Sequence, residues 1–343
     1  MRSIIMVFKR FSLICALLLL VGCKTASKQQ NESGYALGTS YNITYFDQGV
    51  NNLLSSAVDS VFYVVNKSMS TYIPNSDISK INRGDTTVIL DTHFARVFEK
   101  SASVWENTRG YFDPTVGALV NAYGFGPGKP LDRVTITRRD SLLSFTGFDK
   151  VGLTSDLRII KQDPRVYLDF NAIAKGYAVD LLYDMMRQLG YKDFLVEIGG
   201  ELRTSGQHQL KQSPWIVAID HPEQGEKRTF IKTLSLTDKA LATSGNYRKF
   251  NIDSLSRTRY VHTLNPHTGT ARPSKVLSVS IVADDCMTAD AYATALMAMP
   301  LEYLKEIDLQ EIEYFIVLSS SSDAYDYKIS PGFQELLNEA SQP

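Results

Sequence analysis

Two oxygen-bearing side chains near the C-terminal end of the sequence have the spacing of a metal site. Asp290 and Thr294 lie four residues apart, in a segment that opens with Asp284, Asp285 and Thr288, so on a helix they share one face. A carboxylate and a hydroxyl are hard oxygen ligands that suit Mg²⁺, an ion that keeps several waters. The alternative is that these acidic residues only favour a helix N-terminus.

A lysine in the first turn of a predicted helix indicates an anion site. The segment from Asp169 to Gly176 opens that helix, whose free N–H groups and dipole attract anions. Lys175 opposes the dipole there, which costs free energy unless an anion meets its charge. A solvated surface lysine beside an Asn171 cap explains the same residues equally well.

Further segments combine glycines with aromatic or polar side chains. Residues 110–117 are Gly-Tyr-Phe-Asp-Pro-Thr-Val-Gly, and residues 123–128 are Tyr-Gly-Phe-Gly-Pro-Gly. Dense glycine lets the backbone approach a ligand closely and the rings offer stacking faces, although tight turns are the alternative. Residues 242–247 and 260–269 look like hairpin turns with polar residues, and taken alone they make His262 a structural histidine.

A mixture of helices and strands must position these segments. Apolar residues at helical spacing predict helices over Val58–Met69, over Phe94–Trp105 with Thr92 as cap and Gly110 as the end, over Ala174–Leu189, and over Ala289–Met299. Runs rich in β-branched or aromatic residues predict strands at Phe194–Ile198, Trp215–Asp220, Thr229–Leu236, Arg257–Thr263, Val276–Ala283 and Tyr314–Ser319. Because several strands follow one another, we predict an α+β domain of one or two lobes, with a mixed, largely antiparallel sheet and flanking helices.

The N-terminus has the features of an exported lipoprotein. A basic start with Arg2, Lys9 and Arg10 precedes an apolar run over residues 11–21, which is shorter than the about 20 residues that a bilayer span needs. The run closes on Leu-Val-Gly before Cys23, the form of a lipobox, in which the cysteine is acylated after cleavage. A signal peptide without lipid is the alternative.

The predicted organisation has three parts. They are a signal peptide over residues 1–22, the lipidated cysteine with a polar, flexible tether over residues 23–33, and a domain over residues 34–340. Cys15 leaves with the signal and Cys286 stays alone, so we expect no internal disulfide framework. The 36 Lys and Arg against 37 Asp and Glu offer nucleic acid no basic face, and 44% hydrophobic content supports a large core.

In their order along the chain, these segments resemble the ApbE family of FAD:protein FMN transferases. The motifs are FDPTVG with YGFG, DFNAIAKGYAVD, EIGGELR, ATSGNYR, H-x-x-N-P-x-T-G and D-A-x-A-T. The resemblance runs from about residue 37 to beyond residue 299. Members are typically exported, often as lipoproteins, which agrees with Cys23. Asn171, Ala118 and Tyr123 depart from the pattern, since many members have glycine or serine, proline and tryptophan there.

The resemblance implies roles for particular residues. The backbone carbonyl of Ala172 would bind Mg²⁺ together with Asp290 and Thr294. The catalytic residues would be Asp290, His262 and Lys175, with His262 transferring a proton or contacting phosphate. The contacts to FAD would come from Leu37, Tyr72, Phe112, Asp113, Pro114, Thr115, Asp169, Lys175 and Leu264.

The reaction implied by the resemblance attaches FMN to a protein. A threonine hydroxyl of an exported acceptor, a subunit of a redox complex, would attack the FMN-side phosphorus of FAD, and AMP would leave. Either Asp290 or His262 would accept the threonine proton. Two alternatives use the same site: a Mg²⁺-dependent FAD pyrophosphatase with water as nucleophile, and a non-catalytic FAD-binding lipoprotein. The protein would be attached to a membrane by its lipid, facing the periplasm or the cell exterior.

Overall fold

One antiparallel sheet organises the fold. The computed structural model describes residues 28–47, 53–222, 229–245, 250–252, 259–271, 273–320 and 325–338. Within them, eight strands form a sheet in which every neighbouring pair is antiparallel. In spatial order the strands are β1 (Lys28–Ala36), β2 (Thr39–Asp47), β5 (Phe194–Ile198), β6 (Glu201–Ser205), β9 (Ala240–Gly245), β12 (Val276–Ala283), β13 (Ile312–Ser319) and β14 (Tyr325–Ile329).

The remaining elements are three short hairpins and the helices. The hairpins pair β3 (Val151–Leu153) with β4 (Ile159–Lys161), β7 (Trp215–Asp220) with β8 (Phe230–Leu236), and β10 (Phe250–Ile252) with β11 (Arg259–Val261). The α-helices are α1 (Leu54–Met69), α2 (Asp77–Asn82), α3 (Thr92–Asn107), α4 (Gly117–Ala122), α5 (Ile136–Leu143), α6 (Ala174–Gln188), α7 (Cys286–Ala298) and α8 (Pro331–Leu336). Single 3₁₀ turns occur at Phe148–Lys150 and Leu301–Lys305.

The sheet is covered on both faces, and alternation along the strands divides the core in two. In β12, Val279 and Ile281 belong to the larger cluster, which holds the apolar faces of α1, α3, α6 and α7. Val282 points the other way, into a smaller cluster formed with the β7–β8 hairpin and with Phe333 of α8. The helix side is the side on which the candidate site lies.

Helix α7 is a buried helix rather than a surface one. Its residues are apolar on almost every face, and eleven of the thirteen are buried. The side chain of Asp285 caps its N-terminus by accepting a hydrogen bond from the N–H of Thr288 at 2.7 Å. A carboxylate on this helix is therefore held inside the protein by the packing around it.

Most of the predicted elements are confirmed, with shifts at their ends. Strands β5, β7 and β12 have the predicted bounds. Helix α3 is capped by Asp91, which accepts from the N–H of Phe94 at 2.9 Å, so Thr92 is the first helical residue and not the cap. Helix α7 begins at Cys286, earlier than predicted, because Asp285 supplies its cap. The predicted α+β class and largely antiparallel sheet are confirmed, and within the described residues every neighbouring pair of the eight-stranded sheet is antiparallel.

The prediction of a flexible tether up to residue 33 is wrong from Lys28 onward. These residues belong to β1, an edge strand that pairs with β2 from Lys28 to Ala36. The strand is polar and largely exposed, so backbone hydrogen bonds and not apolar burial hold it, and no hydrophobic pattern announces it. The signal peptide, Cys23 and the last two residues of the predicted domain lie outside the described residues. None of the described helices is both long and apolar enough to cross a membrane.

Candidate active site

Gly176 brings the first turn of α6 against α7. Its backbone N–H donates a hydrogen bond to Asp290 Oδ2 at 3.0 Å. A Cβ atom at position 176 would lie 2.8 Å from the Cβ of Asp290 and would also collide with the carbonyl group of Cys286. Only glycine permits this crossing. The lysine-bearing turn and the aspartate-bearing helix, which the sequence presents 115 residues apart, therefore meet at a backbone-to-carboxylate hydrogen bond.

Asp290 and Thr294 lie one turn apart on α7, as their spacing predicts. Asp290 is 4% exposed, and burial raises its pKa to about 6; the charge of Lys175 opposes this rise and that of Glu201 adds to it. The hydroxyl of Thr294 lies 3.3 Å from that of Ser244, on the neighbouring strand β9. Both oxygens thus lie between the helix and the adjoining elements, and not on a solvated helix terminus.

The carbonyl group of Ala172 is available as a ligand. In a regular helix the N–H of Gly176 would donate to it, but that N–H is directed to Asp290 instead. Across the described ranges no hydrogen bond to this carbonyl occurs. The same ranges contain no group of three or more His, Cys, Asp or Glu that could hold a metal ion. A cation here would therefore need oxygens of the kind that Ala172 and Thr294 supply.

Lys175 does face an anion, and that anion is a carboxylate of the protein itself. Its ammonium group forms a close ion pair with Glu201 at the start of β6. Burial acts to lower the pKa of Lys175, but the charges of Glu201 and Asp290 outweigh it and raise that pKa above its ordinary value. The side chain of Lys175 is 31% exposed, so it is neither the freely solvated lysine of one interpretation nor fully enclosed.

Sequence reasoning did not identify Glu201 as a site residue, although its motif contained a usable signal. Gly199 and Gly200 have φ values of 61° and 104°, and they form the two-residue turn between β5 and β6. The turn makes Glu201 the first residue of its strand, opposite Ile198. Two adjacent glycines between strand-like stretches predict this hairpin. Nothing in the local sequence, however, pairs its carboxylate with Lys175.

The turn that contains Leu37 lies beside the same hairpin. Leu37 and Gly38 connect β1 to β2 and both have positive φ, 51° and 76°. The N–H of Gly199 donates to the carbonyl oxygen of Ser40 at 3.0 Å, which ties the two turns together. The turn of Leu37 thus lies beside the turn that precedes Glu201, and the Leu37 side chain packs partly buried against the core.

Asp169 forms the next part of the site, just before α6. It is 7% exposed, and burial raises its pKa to about 6. Its Oδ1 accepts a hydrogen bond from the N–H of Asn171 at 2.8 Å. The phenol of Tyr72 lies close enough to Asp169 to interact with its charge. Partial burial and the Asp169 charge together raise the pKa of that phenol. Tyr72 is 58% exposed and presents its ring at the surface beside Asp169.

The turn from Phe112 to Thr115 contacts this region through its backbone. The Asp169 N–H donates to the carbonyl oxygen of Pro114 at 2.7 Å. Asp113 accepts hydrogen bonds from the backbone and hydroxyl of Thr115, at 2.8 and 2.6 Å, and burial raises its pKa. The Phe112 ring is 1% exposed and lies in the core, so the prediction that it offers a stacking face is wrong. Residues 112–115 are all buried, and the contact of this turn with FAD stays a prediction.

The glycine-rich loop over residues 124–128 has an internal explanation. A Cβ atom on Gly128 would lie 2.7 Å from the side-chain carbon of Asn121, whose amide oxygen accepts the Gly128 N–H at 2.9 Å. The glycine therefore fits the loop to Asn121, as the tight-turn alternative expects. Phe125 extends from the loop to His262, with ring centroids 6.5 Å apart, and its carbonyl oxygen lies 3.5 Å from the Tyr72 hydroxyl.

His262 and Leu264 form the outer edge of the candidate site. His262 is half-buried and its ring lies near that of Phe125, whose carbonyl oxygen is close to the Tyr72 hydroxyl. Leu264 is 5% exposed in a small apolar cluster with Leu119 and Ala271. The turn from Asn265 to Thr270 is confirmed as a hairpin, whereas residues 242–245 lie inside β9 and not in a turn. Asn246 and Tyr247 lie outside the described residues.

The arrangement can bind an anion and a hard cation side by side. Around the first turn of α6 the structure gathers a carboxylate, a lysine, an unoccupied backbone acceptor and a hydroxyl, contributed by Asp290, Lys175, Ala172 and Thr294. Such a set suits a phosphate ester with its counterion. The fold is α+β, and the site combines a cation with oxygen ligands that suit a phosphate and its metal ion.

Comparison with known proteins narrows this class. The profile of the ApbE family matches residues 37–316. The chain is 32% identical over 337 residues to an FAD:protein FMN transferase of Vibrio cholerae, covering 96% of this chain and 97% of that protein. It is 29% identical to the protein of the same name in Haemophilus influenzae, covering 92% and 94%.

Solved structures agree with the sequence comparisons. The flavin transferase ApbE of Vibrio cholerae superposes with a TM-score of 0.80 at 31% identity, over 91% of this chain and all of that one. The ApbE protein of Thermotoga maritima also gives a TM-score of 0.80, at 27% identity and the same coverage. This chain belongs to the ApbE family.

Proposed function

We propose that this protein transfers the FMN moiety of FAD to a threonine hydroxyl of an exported acceptor protein and releases AMP. The observation that carries the proposal is the meeting of Lys175 and Asp290 at the first turn of α6, in a chain whose relatives are named FAD:protein FMN transferase. Fold and family membership support transfer from FAD to a protein. The threonine and the exported acceptor extend the proposal beyond them.

The reaction makes one phosphoester bond and breaks one phosphoanhydride bond. The threonine oxygen bonds to the FMN-side phosphorus, the bridging oxygen leaves with AMP, and the hydroxyl proton passes to a base. Phosphoryl transfer asks a protein mainly for positioning and for electrostatic stabilisation of the charge on the phosphoryl oxygens. Lys175 supplies a fixed positive charge next to the N-terminus of a helix, where anions are favoured.

The oxygens near Asp290 fit a magnesium ion. Ala172 offers a carbonyl group that accepts no hydrogen bond within the described chain, Asp290 a buried carboxylate, and Thr294 a hydroxyl one turn further along α7. These three would hold Mg²⁺, with waters and phosphate oxygens completing the six positions that this ion prefers. When bound, the ion would neutralise charge on the two phosphates of FAD.

The other predicted residues would hold and orient FAD. Tyr72, with its exposed ring beside Asp169, suits an aromatic ligand surface, and Leu37 lies in the turn beside the one that precedes Glu201. Leu264 would contribute an apolar edge. His262 and Asp290 remain the two groups proposed to accept the threonine proton. A pKa raised to about 6 leaves Asp290 ionised at neutral pH, as a metal ligand must be, and makes it a stronger base than an ordinary carboxylate.

The test measures a product and not a rate of FAD loss. Purified protein is incubated with FAD, Mg²⁺ and threonine-bearing acceptor candidates from exported redox complexes, and intact mass spectrometry follows the acceptor. We expect an added FMN on a threonine, with AMP released in equal amount, and loss of both products on chelation. Release of free FMN and AMP at the same rate without acceptor would establish the pyrophosphatase instead. FAD that stays intact with acceptor present would establish a binding protein.

We also propose that the protein is anchored through Cys23 and faces the periplasm or the cell exterior. The basic start, the short apolar run and the lipobox support this, and all three lie in residues 1–23. Cells expressing wild type or Cys23→Ala are labelled with a palmitate analogue. We expect label on the wild type alone, and label on the variant would refute the lipoprotein proposal.

A further inference from the structure

Glu201 is a buried charged group that the proposed reaction does not use. Its side chain is 4% exposed, and one carboxylate oxygen pairs with the Lys175 ammonium group. The other oxygen, Oε2, is fully buried and has no hydrogen-bond partner among the described residues. An unsatisfied buried carboxylate oxygen is costly, and an apolar side chain of similar volume at position 201 would cost less free energy. Stability alone therefore does not account for this carboxylate.

The geometry connects Glu201 to the site through Lys175. The glycine turn fixes Glu201 at the first position of β6, where its backbone lies opposite Ile198 of β5, and the next two residues of the strand pair with β9. Lys175 is the more exposed partner, at 31% against 4% for Glu201, so the carboxylate lies inside the protein and the ammonium group lies nearer the surface. A lysine side chain is a flexible chain of four methylene groups, and it loses much conformational entropy when it is held in one position.

We infer that Glu201 is a positioning residue, which holds the ammonium group of Lys175 at the place where the FAD diphosphate meets it. Apart from Glu201, Asp290 is the carboxylate whose charge acts most strongly on Lys175. Without Glu201, the lysine would be drawn toward the carboxylate that the proposed magnesium site requires. Glu201 thus keeps cation and metal ligand apart. This inference rests on the proposed function, because it names FAD as the anion that Lys175 receives.

The central experiment is a double-mutant cycle on FMN transfer. Glu201→Gln, Lys175→Met and the double variant are compared with wild type, and Glu306→Gln is the matched control, since Glu306 forms an exposed ion pair with Arg109. We expect Glu201→Gln to lower kcat about tenfold, as loss of one well-placed charge contact would, while KM for FAD changes less than threefold. The cation is still present in this variant but no longer fixed.

The cycle separates positioning from a merely structural role. In the Lys175→Met background, the Glu201→Gln change should lower kcat by less than twofold, because there is no ammonium group left to position. A structural role predicts a lower melting temperature for Glu201→Gln with kcat retained. We expect the opposite, since Lys175 is partly exposed and can be rehydrated. An equal loss of kcat in both backgrounds, or no loss in either, would overturn the inference.

A second measurement does not depend on transfer. In protein labelled with ¹⁵N-lysine, the Lys175 ammonium signal is assigned by its disappearance in Lys175→Met. We expect it to be observable in wild type, to shift on addition of FAD with Mg²⁺, and to be broadened beyond detection in Glu201→Gln. An ammonium signal that does not shift on addition of FAD with Mg²⁺, or that is unchanged in Glu201→Gln, would overturn the inference. If wild type and Glu306→Gln transfer no FMN to any acceptor, the proposed function fails separately.

Discussion

Two ion pairs of opposite polarity connect helix α6 to strand β6. Near the helix N-terminus, Lys175 of α6 meets Glu201 of β6. Five residues further along the helix, Asp180 meets Arg203, with 2.7 Å between Oδ1 and Nη1. The same two elements thus place a carboxylate and a cation together twice. The two pairs differ in their other contacts. This difference separates a pair that belongs to the candidate site from a pair that stabilises the fold.

The Asp180–Arg203 pair is a structural ion pair that joins α6, β6 and α7. Asp180 accepts hydrogen bonds from the N–H groups of Cys286 and Met287 at 2.9 and 2.8 Å, so it binds the first turn of α7 as well as Arg203. The guanidinium group lies over the ring of Tyr183, 4.0 Å from its centre, although its Nε has no hydrogen-bond partner. Both side chains are less than one-fifth exposed.

The Lys175–Glu201 pair is only partly satisfied by hydrogen bonds within the described residues. Its cation is about a third exposed and its carboxylate has a buried oxygen without a partner, so neither group uses all of its hydrogen-bonding capacity within the protein. A pair that only had to join a helix to a strand would be satisfied as Asp180 is. The pair whose carboxylate has an oxygen without a partner lies at the candidate site, while the pair whose carboxylate is fully hydrogen-bonded sets the position of α7 and hence of Asp290.

The largest expected effect comes from Asp290→Asn. The substitution keeps size and a hydrogen-bond acceptor for Gly176 but removes the charge that a divalent cation needs. Loss of several kcal/mol of electrostatic stabilisation corresponds to a fall of about 10³-fold in FMN transfer. Thermal unfolding should change by only a few degrees, since a buried carboxylate is replaced by a neutral amide. A variant that still transfers FMN at near the wild-type rate would refute the assigned metal ligand.

Lys175→Met should lower activity, and it should also lower stability because it leaves the buried carboxylate of Glu201 without its counter-charge, so transfer is measured at a temperature where the variant is fully folded. Removing a charge-assisted contact with the diphosphate is worth about 1.5–3 kcal/mol, so we expect kcat/KM for FAD to fall on the order of 10–100-fold. Steady-state transfer and flavin fluorescence titration measure the two parts. Unchanged FAD affinity together with an unchanged rate would make Lys175 a structural partner of Glu201 and remove the distinction between the two pairs.

Arg203→Met is the matched substitution in the other pair, and its expected effect is on stability. Removing one partner of a buried pair leaves Asp180 without its counter-charge, which costs about 3 kcal/mol of unfolding free energy. Chemical denaturation should show this loss. At a temperature where the variant is fully folded, FMN transfer should stay within about threefold of wild type. A larger loss of transfer would mean that the Asp180–Arg203 pair affects the candidate site through the position of α7.

The smallest expected effect is on the pH dependence of stability. Burial raises the pKa of Asp169, Asp180 and Asp290 to about 6, against 3.8 in the unfolded chain. Between these values the folded state keeps protons that the unfolded state has lost, so these groups stabilise the protein below about pH 4 and this contribution disappears as pH rises through 6. Without metal, the melting temperature should fall modestly between pH 5 and pH 7.5.

Added Mg²⁺ distinguishes the two regions in the same experiment. At pH 7.5 it should raise the melting temperature of wild type and of Arg203→Met but not of Asp290→Asn, because only ionised Asp290 offers the metal a charge. At pH 5 the rise should be smaller in every case, since Asp290 is then mostly protonated. An equal rise in Asp290→Asn would place the metal elsewhere.

The sequence by itself determined the elements and the family. Periodicity located α6 and strands β5, β7 and β12, because side-chain alternation is a local property of strands and helices. The spacing of Asp290 and Thr294 placed both on one helix face for the same reason. Ordered motifs predicted the ApbE family, which the family profile confirms over residues 37–316. Edge strand β1 was missed, because backbone pairing with β2 stabilises it and leaves no pattern in its side chains.

Only the tertiary structure decided which groups share the site. Glu201 becomes the partner of Lys175 because a two-glycine turn sets it at the start of a strand that lies against α6. Phe112 became a core residue for a comparable reason, since the turn that carries it is tied to Asp169 through its backbone. Charge pairing and burial depend on distances between residues far apart in sequence, and local patterns carry no information about those distances.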